Sequence, residues 1–170
     1  MEKPKGLWLN LGCSDNLIAG FVNIDKDFSG IDDRNFTEEQ KNAECRRFDL
    51  TNMAEGFYKD SSVDYILAKD IIEHLPNKIE TMNQFWRVLK PGGIVHIEVP
   101  TTEGRGAFQD PTHVSFWNRN SFFYFEDGNI YRERFAKAYG ITARFQIVKE
   151  HTERFINDEV KLTISLKAIK

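Results

Sequence analysis

Leu7-Trp-Leu-Asn-Leu-Gly-Cys-Ser-Asp15 is the stretch of sequence that decides the fold. The apolar run Leu7–Leu11 ends at Gly12, which is typical of a buried strand that enters a tight turn. More such runs follow, and apolar residues at helical spacing predict a helix over Lys78–Leu89 that stops at Lys90-Pro-Gly-Gly93. The other strands predicted in this part of the chain are Phe21–Ile24, Arg46–Leu50, Val63–Ala68 and Ile94–Val99.

The rest of the chain predicts a closing pair of strands. Thr101–Asn120 has no clear periodicity, and ordered loops of this length are uncommon unless they are functional. Ser121–Tyr139 is predicted to form one or two helices, and strands over Phe145–Phe155 and Val160–Ile169 follow. Strands separated by helices and closed by a hairpin indicate an α/β fold with a doubly wound, mostly parallel sheet and one antiparallel strand.

Length and composition indicate one domain over residues 1–170. The chain has a net charge of −3 and no long basic run, which weighs against a long nucleic-acid substrate. Its apolar runs are too short to cross a bilayer and its first residues lack the apolar core of a secretory signal, so we expect a cytoplasmic location without membrane contact. Two cysteines without a Cys-x-x-Cys pair predict neither a disulfide framework nor a structural zinc site.

Polar residues follow four of the predicted strands. In a doubly wound sheet a ligand binds beyond the carboxyl ends of the strands, where the strand order reverses. Gly12 allows a close approach of the backbone, and Asp25 ends the second strand, where a carboxylate can accept both hydroxyls of a ribose. Asp49 and Asp70 end the third and fourth strands. Singly, Asp25 can be a solvated turn residue and Asp49 a helix N-cap, so the prediction of a nucleoside-bearing cofactor rests on their joint placement.

Motifs that match one enzyme family stand at these positions. They are Leu9-Asn-Leu-Gly-Cys-Ser-Asp15, Gly20-Phe-Val-Asn-Ile-Asp25, Val63-Asp-Tyr-Ile-Leu-Ala68 with Glu73-His-Leu75, and Leu89-Lys-Pro-Gly-Gly93. Together they resemble the class I S-adenosylmethionine-dependent methyltransferases, most closely the small, type-11-like, single-domain branch. The resemblance implies a Rossmann-like methyltransferase sheet and S-adenosylmethionine as the cofactor.

The resemblance also implies a role for each strand end. The turn at Gly12 would pass the methionine part of the cofactor, Asp25 would hold the ribose, and Asp70 would lie near the methionine amino group or the sulfonium. Asp49 would accept the exocyclic amine of adenine, with Leu50 packed on the ring. The full set of predicted cofactor-binding residues is Asn10, Leu11, Gly12, Cys13, Ser14, Asp25, Asp49, Leu50, Lys69 and Asp70.

The chain departs from the family in its first turn. The usual Gly-x-Gly-x-Gly loop keeps only Gly12, and Ser14 stands in place of the second glycine. Gly12 and Asp25 are only about a dozen residues apart, which is barely enough for a full crossover. The first crossover helix is therefore predicted to be very short or replaced by a loop. The missing glycines also weigh against a dinucleotide-binding oxidoreductase, whose pyrophosphate needs that loop.

Candidate catalytic residues lie in the segment after the fifth strand. A sulfonium carries its own activation, so the protein aligns the acceptor and, where needed, removes a proton. In Asp110-Pro-Thr-His113, His113 is the predicted general base and Asp110 its orienting partner. The alternative is that both residues pin the loop by hydrogen bonds while Phe116 and Trp117 fill the core.

The other histidines and the aromatic run are interpreted by position. His74 lies near a strand end and can face the acceptor or begin a helix, whereas His96 and His151 are interpreted as structural. Four scattered histidines without paired carboxylates predict no metal site. The run Phe116–Phe125 is either the apolar face of a helix or a wall of the acceptor pocket.

The predicted function is methyl transfer from S-adenosylmethionine to a small-molecule acceptor, such as a sugar or a nucleotide-linked metabolite. Two alternatives stay open, which are an RNA methyltransferase and a non-catalytic partner subunit that binds S-adenosylmethionine. The chain is short for a methyltransferase that must cover its acceptor, so a homodimer or a partner chain is expected to complete the pocket.

Overall fold

Seven strands form a single sheet in the computed structural model, which describes residues 5–170. In chain order the strands are β1 Trp8–Leu11, β2 Val22–Asp25, β3 Glu44–Arg47, β4 Val63–Lys69, β5 Leu89–Pro100, β6 Phe145–Arg154 and β7 Val160–Ala168. Their order in the sheet is β3-β2-β1-β4-β5-β7-β6, and β7 is antiparallel to both of its neighbours while the other pairs are parallel. The predicted fold class is confirmed. The strand order reverses between β1 and β4, which is where a ligand is expected.

Short helices and 3-10 turns connect the strands. The α-helices are α1 Glu38–Lys41, α2 Lys78–Val88, α3 Gly106–Gln109, α4 Arg119–Phe122 and α5 Ile130–Tyr139, and the 3-10 turns are Asp33–Asn35, Leu50–Glu55 and Ile72–His74. The longest helix, α2, has 11 residues and buries Met82, Phe85 and Val88. About 20 apolar residues are needed to cross a bilayer, so none of the helices in residues 5–170 can do so.

The connection from β1 to β2 contains no helix, as the sequence predicts. Two buried asparagines hold it instead. Asn10 Nδ2 donates to the Asn16 carbonyl oxygen at 2.8 Å and to Asn23 Oδ1 at 2.9 Å. Asn23 Oδ1 also accepts from the Ile18 N–H at 2.9 Å. These side-chain bonds replace the backbone bonds that a crossover helix would make, so the short loop satisfies its buried polar groups.

Two predicted elements were misplaced. The third strand spans Glu44–Arg47 and not Arg46–Leu50, because β3 is an edge strand whose residues are mostly exposed and its hydrophobicity marks neither face. The predicted turn at Lys90–Gly93 lies inside β5, which pairs with β4 through an irregular register next to Val63. Gly92, with φ of 77°, accommodates that irregularity.

Candidate active site

The turn after β1 requires a glycine. Gly12 has φ of 62°, and its N–H donates to the Ile24 carbonyl oxygen at 2.8 Å, which ties the turn to β2. A Cβ atom added to Gly12 would lie 2.5 Å from a side-chain carbon of Ile71. The turn therefore packs directly on the segment that follows β4.

Asp25 closes the same turn from the end of β2. Its Oδ2 accepts a hydrogen bond from the Ser14 N–H at 2.9 Å, and Ser14 has φ of 44°. Its Oδ1 makes only a 3.4 Å contact with the Asp27 N–H. The carboxylate is partly exposed, so it can accept further hydrogen bonds from a ligand.

Three of the predicted cofactor residues in the turn have buried side chains. Asn10 holds the loop, and Leu11 is part of the hydrophobic core. Burial raises the pKa of the Cys13 thiol to about 12, so Cys13 is a neutral, apolar side chain. These residues shape the turn, and Ser14 and Asp15 are its exposed residues.

Asp49 and Leu50 have local structural partners. Asp49 caps the 3-10 turn Leu50–Glu55, since its Oδ1 accepts from the Thr51 N–H at 2.9 Å and the Thr51 hydroxyl at 2.8 Å. These bonds lower the pKa of Asp49. The N-cap interpretation is confirmed, and Oδ2 accepts no hydrogen bond from any described residue, so an adenine contact is still a prediction. Leu50 packs in the core and is only 6% exposed.

Asp70 lies in an ion-pair network that the sequence does not reveal. Its φ is 49°, and its two carboxylate oxygens accept from Lys161 Nζ at 2.7 and 2.9 Å. Lys161 is also 3.5 Å from Glu98, which in turn lies 3.3 Å from Lys69. Lys161 stands near the start of β7. Because β7 is antiparallel to β5, this start lies beside the carboxyl end of β5, at the same edge of the sheet as Asp70.

Glu73 is the functional candidate that the sequence analysis missed. Its side chain is 3% exposed, and Oε2 has no hydrogen-bond partner among the described residues. Burial, more than any neighbouring charge, raises the pKa of Glu73 to about 7. Glu73 Oε1 lies 4.0 Å from His113 Nε2. Glu73 was visible in the sequence only as part of a family motif, since burial and missing partners are properties of the folded chain.

His113 is oriented by a backbone carbonyl and not by Asp110. Its Nδ1 is 3.0 Å from the Ala107 carbonyl oxygen, which leaves Nε2 facing Glu73 and Asp110, each at 4.0 Å. Asp110 Oδ1 instead accepts from the Thr112 N–H at 2.8 Å and from its hydroxyl at 2.6 Å, and these bonds lower the pKa of Asp110. Asp110 thus holds the loop and lies near His113 without a hydrogen bond to it.

His74 lies beside His113, so the description of the histidines as scattered is wrong for this pair. Their rings meet edge to face with centroids 4.8 Å apart. His74 Nδ1 is 3.1 Å from the Thr112 hydroxyl and 3.3 Å from the Thr112 carbonyl oxygen. The loop is further fixed because the Ser115 N–H donates to the Glu73 carbonyl oxygen at 2.9 Å. The Glu73–His74–His113 cluster is therefore held from both sides.

The aromatic run divides between core and surface. Trp117, Phe122 and Phe125 are buried, which confirms that part of the run is core. The exposed side chains Phe108 and Phe116 stack on each other with centroids 5.1 Å apart, on the loop that carries His113. They form an apolar surface on that loop.

A family match covers residues 9–97, just over half of the chain, and the family is described as a methyltransferase domain. The chain belongs to this family. The domain is 29% identical over 113 residues to a probable S-adenosylmethionine-dependent methyltransferase of Mycolicibacterium smegmatis. The alignment covers 62% of this chain and 44% of that protein. It is 31% identical over 68 residues to phosphoethanolamine N-methyltransferase 2 of Caenorhabditis elegans, covering 40% and 15%.

A solved structure agrees with the fold. The trans-methyltransferase CalH, in complex with SAH, superposes with a TM-score of 0.64 at 16% identity and covers 98% of this domain and 52% of CalH. The resemblance to class I methyltransferases is confirmed, and with it S-adenosylmethionine as the cofactor. The domain spans less than half the length of the curated relatives it matches.

Proposed function

We propose that this domain transfers a methyl group from S-adenosylmethionine to a small-molecule acceptor at the carboxyl edge of its sheet. The observation that supports this best is the packing of Gly12 on Ile71, where an added Cβ would lie 2.5 Å from a side-chain carbon. This contact brings the turn after β1 against the segment that bears Glu73 and His74. The turn after β1 with Asp25, which we name the cofactor half of the site, therefore adjoins Glu73, His74 and His113, which we name the acceptor half.

The cofactor half offers groups that suit a nucleoside with a charged methionine tail. Asp25 has one oxygen held by Ser14 at 2.9 Å and another open to ribose hydroxyls. When bound, S-adenosylmethionine supplies an activated methyl group, and the task of these residues is to hold and orient it. The other proposed contacts are Asn10, Leu11, Gly12 and Cys13 through the turn, Asp49 and Leu50 at the adenine, and Lys69 and Asp70 at the methionine end.

The acceptor half offers a proton acceptor. His113 is the proposed general base, since its Nδ1 is engaged by the Ala107 carbonyl oxygen and its Nε2 is left for an acceptor. Asp110 is proposed to position the loop through its bonds to Thr112. This assignment differs from the sequence prediction, in which Asp110 orients His113 directly.

A small acceptor fits the charge of the domain and one of its relatives. The net charge of −3 offers little attraction to a phosphate backbone, and the C. elegans relative is named for phosphoethanolamine.

The stacked pair Phe108 and Phe116 is exposed, and a homodimer is proposed to cover it. A cytoplasmic location is proposed because Cys45 is a free, exposed thiol.

Calorimetry and a transfer assay test the proposal. S-adenosylmethionine and S-adenosylhomocysteine are expected to bind with one-to-one stoichiometry, and NAD is expected not to bind. Radiolabelled S-adenosylmethionine incubated with a metabolite extract should then yield a labelled small molecule. Cofactor binding without transfer to any fraction would favour a partner subunit, and label in RNA alone would favour an RNA methyltransferase. Absence of cofactor binding would overturn the proposal.

A further inference from the structure

We propose that Glu73, His74 and His113 form a binding site for a divalent transition-metal ion of the zinc class. Each of the three residues offers one ligand atom, and these atoms all lie within 4.8 Å of one another. Two imidazole nitrogens and one carboxylate oxygen are a ligand set that zinc uses, with a further position left open to water or substrate. The binding of the ion is independent of the proposed function, and only its role beside the acceptor rests on it.

The unpartnered carboxylate is a second, independent observation. Glu73 is 3% exposed at its side chain, and its Oε2 makes no hydrogen bond to any residue in the described range 5–170. A buried carboxylate normally has a charged or hydrogen-bonding partner, because removing it from water without one is costly. Its Oε1 instead faces His113 Nε2 at 4.0 Å. A cation between Glu73 and His113 would compensate the negative charge of this buried carboxylate.

The surroundings of the cluster resemble the support that metal-ligating histidines receive. A ligating histidine usually donates its other ring N–H to a carbonyl or carboxylate, which fixes the tautomer and the ring orientation. His113 Nδ1 is 3.0 Å from the Ala107 carbonyl oxygen, and His74 Nδ1 is 3.3 Å from that of Thr112. Asp110 Oδ2, 4.0 Å from His113 Nε2, adds a carboxylate at the rim.

The ligand atoms must move closer together to bind a zinc ion. Zinc–nitrogen bonds of about 2.0–2.1 Å at tetrahedral angles place ligand atoms about 3.3–3.5 Å apart. The separations here reach 4.8 Å, so the farthest ligand atoms must approach by about 1.3–1.5 Å, which rotations of Glu73 and His74 can supply. Asp70 is already paired with Lys161, so that neighbouring carboxylate does not need the ion.

The proposed ion would change the role of His113. As a ligand, His113 cannot also accept a proton at Nε2, and the open coordination position would instead hold an oxygen of the acceptor. A cation lowers the pKa of a hydroxyl bound to it, so the acceptor would lose its proton to solvent before methyl transfer. The site thereby favours acceptors that carry a hydroxyl group.

Metal titration of the apo protein tests the proposal. The measurement uses tag-free, chelator-treated protein of residues 1–170 that carries Cys45→Ser, which removes an exposed thiol. Calorimetry is expected to show one Zn²⁺ per chain, and Co²⁺ is expected to give a visible d–d spectrum without thiolate charge transfer. Glu73→Gln and His113→Ala should each weaken Zn²⁺ affinity by more than about 100-fold, because loss of even a supporting residue costs about 10–100-fold.

His151→Ala is the matched control. His151 is an exposed histidine on β6, outside the cluster, so its loss should leave Zn²⁺ affinity unchanged. Glu73→Gln keeps the shape of the side chain, and a far-ultraviolet spectrum checks that each variant folds. Equal affinities for the wild-type protein and Glu73→Gln would overturn the site, as would loss of binding in His151→Ala. Cofactor binding without Zn²⁺ binding would refute the metal site alone, and Zn²⁺ binding without cofactor binding would refute the proposed function alone.

Discussion

The two halves of the carboxyl edge are built in opposite ways. In the cofactor half, Asp25 is partly exposed, and a hydrogen bond from the Ser14 N–H at 2.9 Å holds it. In the acceptor half, Glu73 is buried and His113 half-buried, and Glu73 Oε2 has no partner in the described chain. Water stabilises a polar group at the surface, whereas a buried one without a partner costs free energy. The proposed cofactor half therefore presents a solvated carboxylate to its ligand, whereas the proposed acceptor half would gain stability from a bound cation.

The comparison gives different expectations for mutations in the two halves. In the cofactor half, a substitution should either distort the turn after β1 or remove hydrogen bonds to the cofactor. In the acceptor half, removing a charge should stabilise the metal-free protein, since that charge is buried without compensation. Four variants test this contrast, in order of decreasing expected effect.

Gly12→Ala should cause the largest change in free energy of the four variants, as a loss of stability. A non-glycine residue at φ of 62° costs about 1–2 kcal/mol, and the added Cβ would also lie 2.5 Å from Ile71, so the expected loss of unfolding free energy is about 4 kcal/mol. Urea denaturation measures it. Gly30→Ala is the control, because a Cβ there meets nothing within 4 Å. A Gly12→Ala protein as stable as the wild type would mean that the turn is not tied to the acceptor half.

Glu73→Gln should stabilise the metal-free protein at high pH. The pKa of Glu73 is raised from 4.5 to about 7 by burial, so between these pH values the folded state holds a proton that the unfolded state has lost. The stability that this proton contributes is present below pH 4.5 and is lost as the pH rises through 7. Glu73→Gln does not titrate, so its stability relative to the wild type should increase by on the order of 3 kcal/mol across this range.

Denaturation of both proteins at pH 4.5 and pH 8 measures this difference. Glu39→Gln, at an exposed position of α1, is a control that should show no such gain. A wild-type protein that loses no stability relative to Glu73→Gln over this interval would show that Glu73 is solvated or paired in solution. The two halves would then not differ in the way that the structure indicates.

Asp25→Asn should weaken cofactor binding and leave stability nearly unchanged. An amide still accepts a hydrogen bond from Ser14, but bonds to a charged acceptor are about twice as strong as bonds to a neutral one. The expected loss is about 2 kcal/mol, or roughly 30-fold in the dissociation constant of S-adenosylmethionine measured by calorimetry. Asp33→Asn, an exposed carboxylate in the 3-10 turn Asp33–Asn35, serves as the control. An unchanged dissociation constant would mean that the ribose lies elsewhere.

The placement of the proposed cofactor residues could be predicted because these residues are close together in the sequence. Gly12, Ser14 and Asp25 stand within one strand–turn–strand unit, and a parallel sheet brings its strand ends to one edge whatever the rest of the chain does. The same logic predicted the sheet and the missing crossover helix. It failed at β3, where an exposed edge strand carries no hydrophobic pattern to fix its position.

The acceptor half could be predicted only in part, because it depends on pairs that are distant in sequence. The motif around His113 predicted it as a candidate, but its proximity to His74 and Glu73 requires the loop after β5 to fold back on the segment after β4. Lys161 contacts Asp70 from 91 residues away. Glu73 is likewise buried only because the loop after β5 packs against it, so the residues next to Glu73 in the sequence do not reveal its burial.

Lys161→Met should cause the smallest change in free energy of the four variants. Whether it tightens or weakens S-adenosylmethionine binding is informative. Lys161 and Asp70 are 26% and 36% exposed at their side chains, so the pair contributes about 1 kcal/mol or less to stability. If Asp70 binds the amino group of the cofactor, Lys161 competes for the same carboxylate, and its removal should tighten S-adenosylmethionine binding by about 3-fold, or roughly 0.6 kcal/mol. Lys167→Met, on the same strand but opposite Ile94, should change nothing. Weaker binding would instead indicate that Lys161 contacts the cofactor carboxylate, so that the ion pair, and not Asp70 alone, joins the two halves of the site.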